Sequence, residues 1–152
     1  MISQTTEYAL RAVVYLAEQD VPRTTQEIAQ VTRVPAGYLS KVMQSLARAE
    51  LVHSQRGVHG GYRLLVPANK LTVLDVVNAV DPLSRITTCP LGLKSHGKNL
   101  CAMHRRLDDA TAAVEEAFRN SIVAELLAIP TGSKPLCDFP RTASSPTVLP
   151  AK

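Results

Sequence analysis

The sequence predicts a mainly α-helical chain that carries one small β-hairpin. Apolar residues recur at helical spacing in several separate stretches, whereas strand-like runs occur around one glycine-rich region near the middle of the chain. Hydrophobic residues make up 45% of the 152 residues, aromatic residues only 4%, and tryptophan is absent. A core of leucine, valine, alanine and isoleucine suits packed helices. The length allows one compact unit with an appendage.

Three helices are predicted in the first third of the chain. Residues 4–18 combine apolar positions and charges at helical spacing. Thr24 and Glu27 have the spacing of a capping box, so a second, short helix is expected to follow, to about Val31. Pro35 then sits where a first-turn proline is tolerated at the start of a third helix. The apolar stripe of this helix consists of Leu39, Val42, Met43, Leu46 and Ala47. Two helices joined by so short a turn predict a helix-turn-helix.

A hairpin and a fourth short helix follow the helix-turn-helix. The strand-like runs 51–54 and 62–65 flank a glycine-rich connection, which can close a β-hairpin. A hairpin in this position is the wing of a winged helix-turn-helix domain. Thr72 is a predicted cap of the next helix, which ends at Asp81 and Pro82.

The remainder of the chain divides into three segments. Residues 83–99 show no sustained period and are predicted to form a loop. From Cys101 an apolar seam runs along a long helix and is suited to a partner helix, which predicts a homodimer. Five prolines occur beyond Ile129, so a flexible tail is expected. The predicted boundaries are 1–82 for the winged domain, 83–100 for the loop, 101–128 for the dimerisation helix and 129–152 for the tail.

The charge of the predicted winged domain indicates a polyanionic partner. The chain has 17 basic and 13 acidic residues, a net charge of +4, which alone is a weak indication. Between Ile28 and Leu74, however, the single acidic residue is Glu50. The basic residues of the same stretch are Arg33, Lys41, Arg48, Arg56, Arg63 and Lys70. A solvated surface would explain the charge by itself, but its combination with a helix-turn-helix and a wing predicts binding to double-stranded DNA.

The predicted DNA contacts begin on the third helix. If this helix lies in the major groove, Tyr38, Ser40 and Lys41 could reach base edges or phosphates. Gly37 would let the backbone approach the DNA closely. Acidic residues are absent from this helix, and the first one after it is Glu50.

Further candidate contacts lie at the start of the second helix and in the wing. Thr24 and Thr25 could donate to phosphate, although simple capping is the expected role of Thr24. Arg56 at the wing tip could enter a minor groove, where the negative potential is concentrated. The other wing candidates are Gly57, His59 and Gly60, and His59 is alternatively an ordinary turn residue.

These segments resemble consecutive blocks of a bacterial family of transcription regulators that includes IscR, NsrR and CymR. The blocks are TTEYALRAVVYLA, PAGYLSKVMQSLARAELV, SQRGVHGGYRL and LTVLDVVNAVD, and the resemblance covers about residues 1–128. It implies a dimer with crossed C-terminal helices that regulates transcription, with repression as the expected mode. The DNA contacts that it implies are Gly37, Tyr38, Ser40, Lys41 and Arg56.

The resemblance also implies a sensor site in the loop before the long helix. Cluster-binding members carry three cysteines there, spaced C-x5-C-x5-C, and one branch adds a histidine three residues later. Cys89 and Cys101 match the outer cysteines and His104 matches the histidine, but Ser95 replaces the middle cysteine, and a hydroxyl is a poor iron ligand. Glu7 stands where some members have a carboxylate that reaches the partner's cluster. The candidate ligands are therefore Cys89, Cys101, His104 and Glu7, with Cys137 as a more distant replacement.

The sequence leaves three states of this site open. The donors suit an iron–sulfur cluster, for which the two-iron two-sulfur type is expected, or a tetrahedral zinc ion; the cysteines are otherwise ordinary thiols without a cofactor. The sensed signal would accordingly be redox state, nitric oxide, iron–sulfur status or an unrelated small molecule.

Other classes of function fit the sequence less well. The glycine-rich RGVHGGYR lacks the Gly-Lys-Ser/Thr ending of a P-loop, and no nucleophile with a nearby base forms a recognisable motif, so an enzyme is not expected. A protein-interaction module built on the last helix would leave the basic helix and wing unexplained. Glu7 and Arg11 interrupt the apolar residues at the start, which argues against a signal peptide or membrane span and makes the cytoplasm the expected location.

Overall fold

The predicted order of helices, hairpin and further helices is confirmed. The computed structural model describes residues 2–58, 60–93, 99–128 and 135–136. The helices in these ranges are α1 (Gln4–Ala17), α2 (Thr25–Thr32), α3 (Ala36–Arg48), α4 (Val73–Val80), α5 (Ala102–Arg119) and α6 (Val123–Ala128), and the antiparallel strands are β1 (Val52–Gln55) and β2 (Gly61–Leu64). None of these helices is long and apolar enough to cross a membrane.

Capping boxes begin α2 and α4, as the sequence predicts. The Glu27 N–H donates to the Thr24 hydroxyl at 3.2 Å, and the Thr24 N–H donates back to the Glu27 carboxylate at 2.7 Å. This backbone hydrogen bond is the main reason why the pKa of Glu27 is lowered. Thr72 and Asp75 repeat the arrangement at the start of α4. Both helices therefore begin where their own sequences satisfy the first backbone N–H groups.

The core lies between the first three helices and α4, and it also receives residues from β1 and α6. Its fully buried apolar residues come from several elements because each amphipathic helix turns one face inward. They include Ala9, Val13, Leu16, Ile28, Leu39, Met43, Leu46, Leu71, Val76 and Val123. The stripe predicted for α3 is thus the part of that helix that faces the core.

The wing is fastened to the helices by a short backbone pairing. In the hairpin, Val52 pairs with Leu64 and Gln55 pairs with Gly61. The Arg23 N–H also donates to the Tyr62 carbonyl at 2.9 Å, and the Tyr62 N–H donates to the Arg23 carbonyl at 2.7 Å. Gly61 has φ +152°, and a Cβ there would lie 2.6 Å from the Arg23 carbonyl. Glycine is required at this position because the two backbones approach so closely.

The long helix predicted over 101–128 is interrupted, so that prediction is wrong in detail. Helix α5 ends at Arg119, and α6 begins at Val123. Between them the Val73 N–H donates to the Ser121 carbonyl at 2.8 Å, and the Val123 N–H donates to the Leu71 carbonyl at 2.8 Å. Burial of Val123 in the core accompanies this pairing. Together these interactions outweigh the continuation of the helix.

Several sequence predictions fall on residues outside the described ranges. They concern His59 in the wing, Ser95 in the loop, Cys137, and the tail after residue 128 apart from residues 135–136.

Candidate nucleic-acid interface and sensor segment

Helix α3 separates an apolar face from a polar one. Leu39, Val42, Met43 and Leu46 are buried against the core. The exposed residues at helical spacing on the other side are Gly37, Tyr38, Lys41, Gln44 and Arg48. This second face carries two cations and no acid, so it can approach a phosphate backbone without electrostatic repulsion.

Three of the four α3 residues predicted to contact DNA are exposed. Tyr38 is 46% exposed, and Lys41 is also exposed. A Cβ added at Gly37 would meet no atom within 4 Å, so this part of the backbone is open to a ligand. Ser40 differs, because it is half-buried and its hydroxyl donates to the Ala36 carbonyl at 3.0 Å. A DNA contact by Ser40 would use the lone pairs of its oxygen.

The wing has an exposed tip and a half-buried base. Arg56, Gly57 and Val58 are exposed, and Gly57 has φ +111°, which favours glycine. Gly60 is half-buried, and a Cβ there would lie 2.6 Å from the Gln55 carbonyl oxygen. The hairpin therefore needs glycine at position 60 for its own closure, whether or not DNA is bound.

The start of α2 supports capping more directly than phosphate binding. The Thr24 hydroxyl is engaged in the capping box, which confirms the capping role expected for it. Thr25 is the first residue of α2 and is half-buried. A contact between Thr25 and phosphate stays a prediction.

The basic residues that the sequence singled out lie on the surface. All six side chains between Ile28 and Leu74 are exposed: Arg33, Lys41, Arg48, Arg56, Arg63 and Lys70. Arg63 is paired in register with His53 across the hairpin. The cations of α3 and the wing are therefore available to a polyanion.

A side-chain network that the sequence did not reveal joins α1 to the helix-turn-helix. Arg11 donates to the Glu7 carboxylate at 2.8 Å and to the Thr32 carbonyl at 3.2 Å. Its guanidinium carbon lies 5.8 Å from the centre of the Tyr8 ring, and the Tyr8 ring meets the Tyr38 ring edge-on, with centroids 5.8 Å apart. The spacing of residues 7, 8 and 11 places them near one another on α1, but nothing in the sequence gives their partners on α2 and α3.

The candidate metal ligands are brought together only in part. Cys101 precedes α5, and its Sγ lies 3.4 Å from Nδ1 of His104, which is 8% exposed; Cys89 is also buried. Glu7 forms an ion pair with Arg11 of its own chain. In the ranges that the structure covers, no three His, Cys, Asp or Glu side chains are arranged to hold a metal ion. Among the described residues of one chain, the candidate ligands therefore do not form a complete ligand set for an iron–sulfur cluster or a zinc ion.

An ion-pair network fastens the beginning of the loop to α5. Arg85 donates to both carboxylate oxygens of Asp108 at 2.7 Å, and the Ile86 N–H donates to the same carboxylate at 2.8 Å. The Arg85 hydrogen bonds are the main cause that lowers the pKa of Asp108 from its usual value of 3.8 to about 2. Because Arg85 and Asp108 are far apart in the chain, their pairing could not be read from sequence spacing.

The fold and its exposed basic helix define a DNA-binding protein of the winged helix-turn-helix class. The chain belongs to the Rrf2 family, whose profile is described as an iron-dependent transcriptional regulator and matches residues 2–129. The family resemblance noted from the sequence is thereby confirmed. So is the prediction that this protein is a regulator and not an enzyme.

Individual relatives agree with the family. A protein of Aquifex aeolicus (strain VF5), assigned as an HTH-type transcriptional regulator, is 28% identical over 133 residues, which are 85% of this chain and 92% of the relative. The structure of CymR (YrzC), the global cysteine regulator of B. subtilis, has a TM-score of 0.68 at 24% identity and matches 84% of this chain and 96% of that one. T. potens IscR also has a TM-score of 0.68, at 22% identity, and matches 84% of this chain and 86% of its own. The two structures show the fold.

Proposed function

We propose that this protein regulates transcription by inserting α3 into the major groove of DNA and the wing tip into the adjacent minor groove. The observation that carries the proposal is the exposed, acid-free face of α3 opposite its buried stripe. Tyr38 and Lys41 would contact bases or phosphates, and the open backbone at Gly37 would permit close approach. Arg56 would enter the minor groove beside Gly57, and His59 is proposed from the sequence as a further wing contact.

Binding to defined DNA tests this proposal. A duplex selected by the wild-type protein from a randomised library is compared with a scrambled duplex of the same composition. Arg56→Ala is expected to weaken binding to the selected duplex by about 1–3 kcal/mol, and Lys41→Ala to reduce the salt slope by about 1. Arg105→Ala removes the same charge from an exposed position on α5 and serves as the control. Wild-type affinity in both Arg56→Ala and Lys41→Ala would refute the proposal.

We also propose that the protein acts as a homodimer joined through α5. Its exposed apolar positions alternate in steps of four and three, the spacing of a coiled-coil seam. These positions are Met103, Leu107, Ala110, Val114 and Ala117. Met103, Leu107 and Val114 are 60%, 53% and 39% exposed in the single chain. A second copy offers the same stripe and can cover it, which would set two copies of α3 roughly 34–36 Å apart on a near-palindromic site.

Sedimentation at graded concentrations tests the dimer. The wild type is expected to sediment as a dimer at micromolar concentration. Leu107→Glu should sediment as a monomer, since it places a charge within the apolar seam. Arg105→Glu, on the opposite side of α5, is the matched control and should remain dimeric. A monomeric wild type would contradict the proposal.

Repression is the proposed mode of regulation. A dimer that spans two half-sites excludes other proteins from the same stretch of DNA. Transcription in vitro from a promoter that contains the selected duplex should fall as protein is added. A rise in transcript would show activation instead.

The segment from Cys89 to His104 is proposed as the sensor, because it holds a buried thiol at Cys89 and a thiol–imidazole pair at the start of α5. An iron–sulfur cluster, zinc and metal-free thiols are distinguished by anaerobic purification, an absorbance spectrum and analysis for iron, sulfide and zinc. The family description favours iron. Protein without iron or zinc, together with a Cys89→Ala, Cys101→Ala variant that binds DNA normally after reducing, oxidising and nitric-oxide treatment, would rule out a sensor at this segment.

A further inference from the structure

We infer that Tyr8 and Arg11 of α1 are positioning residues that fix Tyr38 on the DNA-facing side of α3 and so contribute to sequence discrimination. The inference rests on the proposed function, in which α3 is the recognition helix. It assigns a role in recognition to two residues that would not themselves touch DNA.

The first step is the contact between two aromatic rings. The Tyr8 and Tyr38 rings meet at 81° with their centroids 5.8 Å apart, which is the favoured edge-to-face geometry. Tyr8 is partly buried and packs against the core, whereas Tyr38 is 46% exposed. Tyr8 is therefore the fixed partner. Its ring restricts a surface side chain that would otherwise sample several rotamers.

The second step is the absence of a side-chain cap at the start of α3. Pro35 occupies the N-cap position and makes no capping hydrogen bond, in contrast to Thr24 and Thr72 at the starts of α2 and α4. Tyr38 lies in this first turn, where its N–H donates to the Pro35 carbonyl at 2.9 Å. The contact with Tyr8 thus holds the turn of the recognition helix that lacks a side-chain cap.

The third step is the bracing of Tyr8 and of the turn by Arg11. The Arg11 guanidinium lies over the Tyr8 ring, and it also donates to the carbonyl of Thr32, the last residue of α2. The Thr32 hydroxyl donates to the Ile28 carbonyl at 2.6 Å. The end of α2 is therefore held by this hydrogen bond and by the one from Arg11. Glu7 accepts from Arg11 and fixes its direction. One side chain of α1 therefore links the turn between α2 and α3 to the ring that contacts Tyr38.

This arrangement gives Glu7 a partner within its own chain. Its carboxylate is engaged by Arg11, and Arg11 is engaged by the helix-turn-helix. Here Glu7 supports the recognition helix through Arg11, which differs from the ligand role that the family resemblance implied.

The test measures discrimination rather than affinity alone. The ratio of affinities for the selected and the scrambled duplex is determined at one salt concentration, and unfolding in urea is followed in parallel. Tyr8→Leu is expected to lower this ratio by about threefold to tenfold, a loss in keeping with that of one aromatic pair. Tyr8→Phe keeps the ring and should keep the ratio.

Tyr15→Leu is the matched control, because Tyr15 is a second partly buried tyrosine of α1 that packs against the core. It should lower stability and leave the ratio unchanged. Arg11→Met, which keeps the aliphatic stem without the guanidinium, gives a second route should Tyr8→Leu fail to fold. It is expected to lower the ratio by a smaller factor than Tyr8→Leu.

Two outcomes separate the inference from the proposed function. If Tyr38→Ala lowers the ratio while Tyr8→Leu or, where that variant does not fold, Arg11→Met leaves it at the wild-type value, the inference is wrong and the proposed function stands. If Tyr38→Ala leaves the ratio unchanged, Tyr38 is not part of recognition, and both the proposed contact and the inference are wrong.

Discussion

The helix-turn-helix region and helix α5 of this chain are held in place by different forces. The first region buries a continuous set of apolar side chains, so its shape is fixed by close packing. Helix α5 has 18 residues, and among them only His104 is buried. It is attached by ion pairs of Asp108 and Glu115 with Arg85, and just beyond its end by the backbone pairing of residues 121–123 with residues 71–73.

This difference indicates a division of labour between the two regions. A packed core has one arrangement, whereas a helix attached at two places with an exposed apolar stripe can be completed by a partner and can shift at its polar attachment. The polar attachment lies next to the proposed sensor segment. A change there would reach α5 before it reached the core.

The largest expected difference between the regions concerns matched leucines. Leu46 is fully buried in α3, and Leu107 is exposed on α5. Leu46→Ala is expected to lower the free energy of unfolding by about 2–5 kcal/mol, because it leaves a cavity. Leu107→Ala should change it by less than about 0.5 kcal/mol in dilute protein and by more at concentrations where the dimer forms. Urea unfolding at two protein concentrations measures the free energy of unfolding of both variants. If Leu46→Ala and Leu107→Ala lose the same amount in dilute protein, the two regions are not held by different forces.

A pair of glycines tests whether the wing belongs to the rigid region. Gly61→Ala is expected to destabilise the protein by about 1–3 kcal/mol, because the backbone of Arg23 leaves no room for a Cβ and φ is positive. Gly37→Ala places a methyl group in open space on a helix and should stabilise by about 0.5–1 kcal/mol. If Gly37→Ala also weakens binding to the selected duplex, the close approach of the α3 backbone to DNA is supported. A neutral Gly61→Ala variant would show that the wing is not fastened at Arg23.

A pair of valines tests the attachment at the end of α5. Val123 is fully buried at the start of α6, whereas Val114 is partly exposed on α5. Val123→Ala is expected to cost about 1.5–2 kcal/mol from the loss of two buried carbon groups. Val114→Ala should have little effect on the single chain. Thermal unfolding of dilute protein compares the stability of the two variants. If Val123→Ala is as stable as the wild type, α6 does not anchor α5.

The smallest expected effect concerns the polar attachment and depends on pH. The folded-state pKa of Asp108 is about 2, below the usual 3.8, so its charged form stabilises the fold. This contribution is complete above about pH 5 and is lost as the pH falls toward 2. The stability difference between the wild type and Asp108→Asn should therefore shrink on acidification in urea titrations. Asp109→Asn, at the neighbouring exposed position, leaves the Arg85–Asp108 ion pair in place and is the control variant. If the stability difference between the wild type and Asp108→Asn does not change with pH, the ion pair does not help to attach α5.

Features with a local cause were determined by the sequence itself. The capping boxes at Thr24 and Thr72 join residues three positions apart, and the stripe of α3 follows from the period of the helix. The helical period also predicts that the basic residues of α3 are exposed, because they lie on the face opposite the apolar stripe. The winged order of elements and the candidate DNA contacts could therefore be predicted, although which of those contacts touch DNA stays a prediction.

Features that join distant parts of the chain were decided by the tertiary structure. The break after Arg119, the ion pair of Arg85 with Asp108 and the contact of Tyr8 with Tyr38 each depend on how elements pack. Helical periodicity says which face of an element is apolar, but it does not say which residue of another element that face will meet. The meeting points are set by the packing of the whole core, because many small contacts must be satisfied together before any one pair is brought within reach.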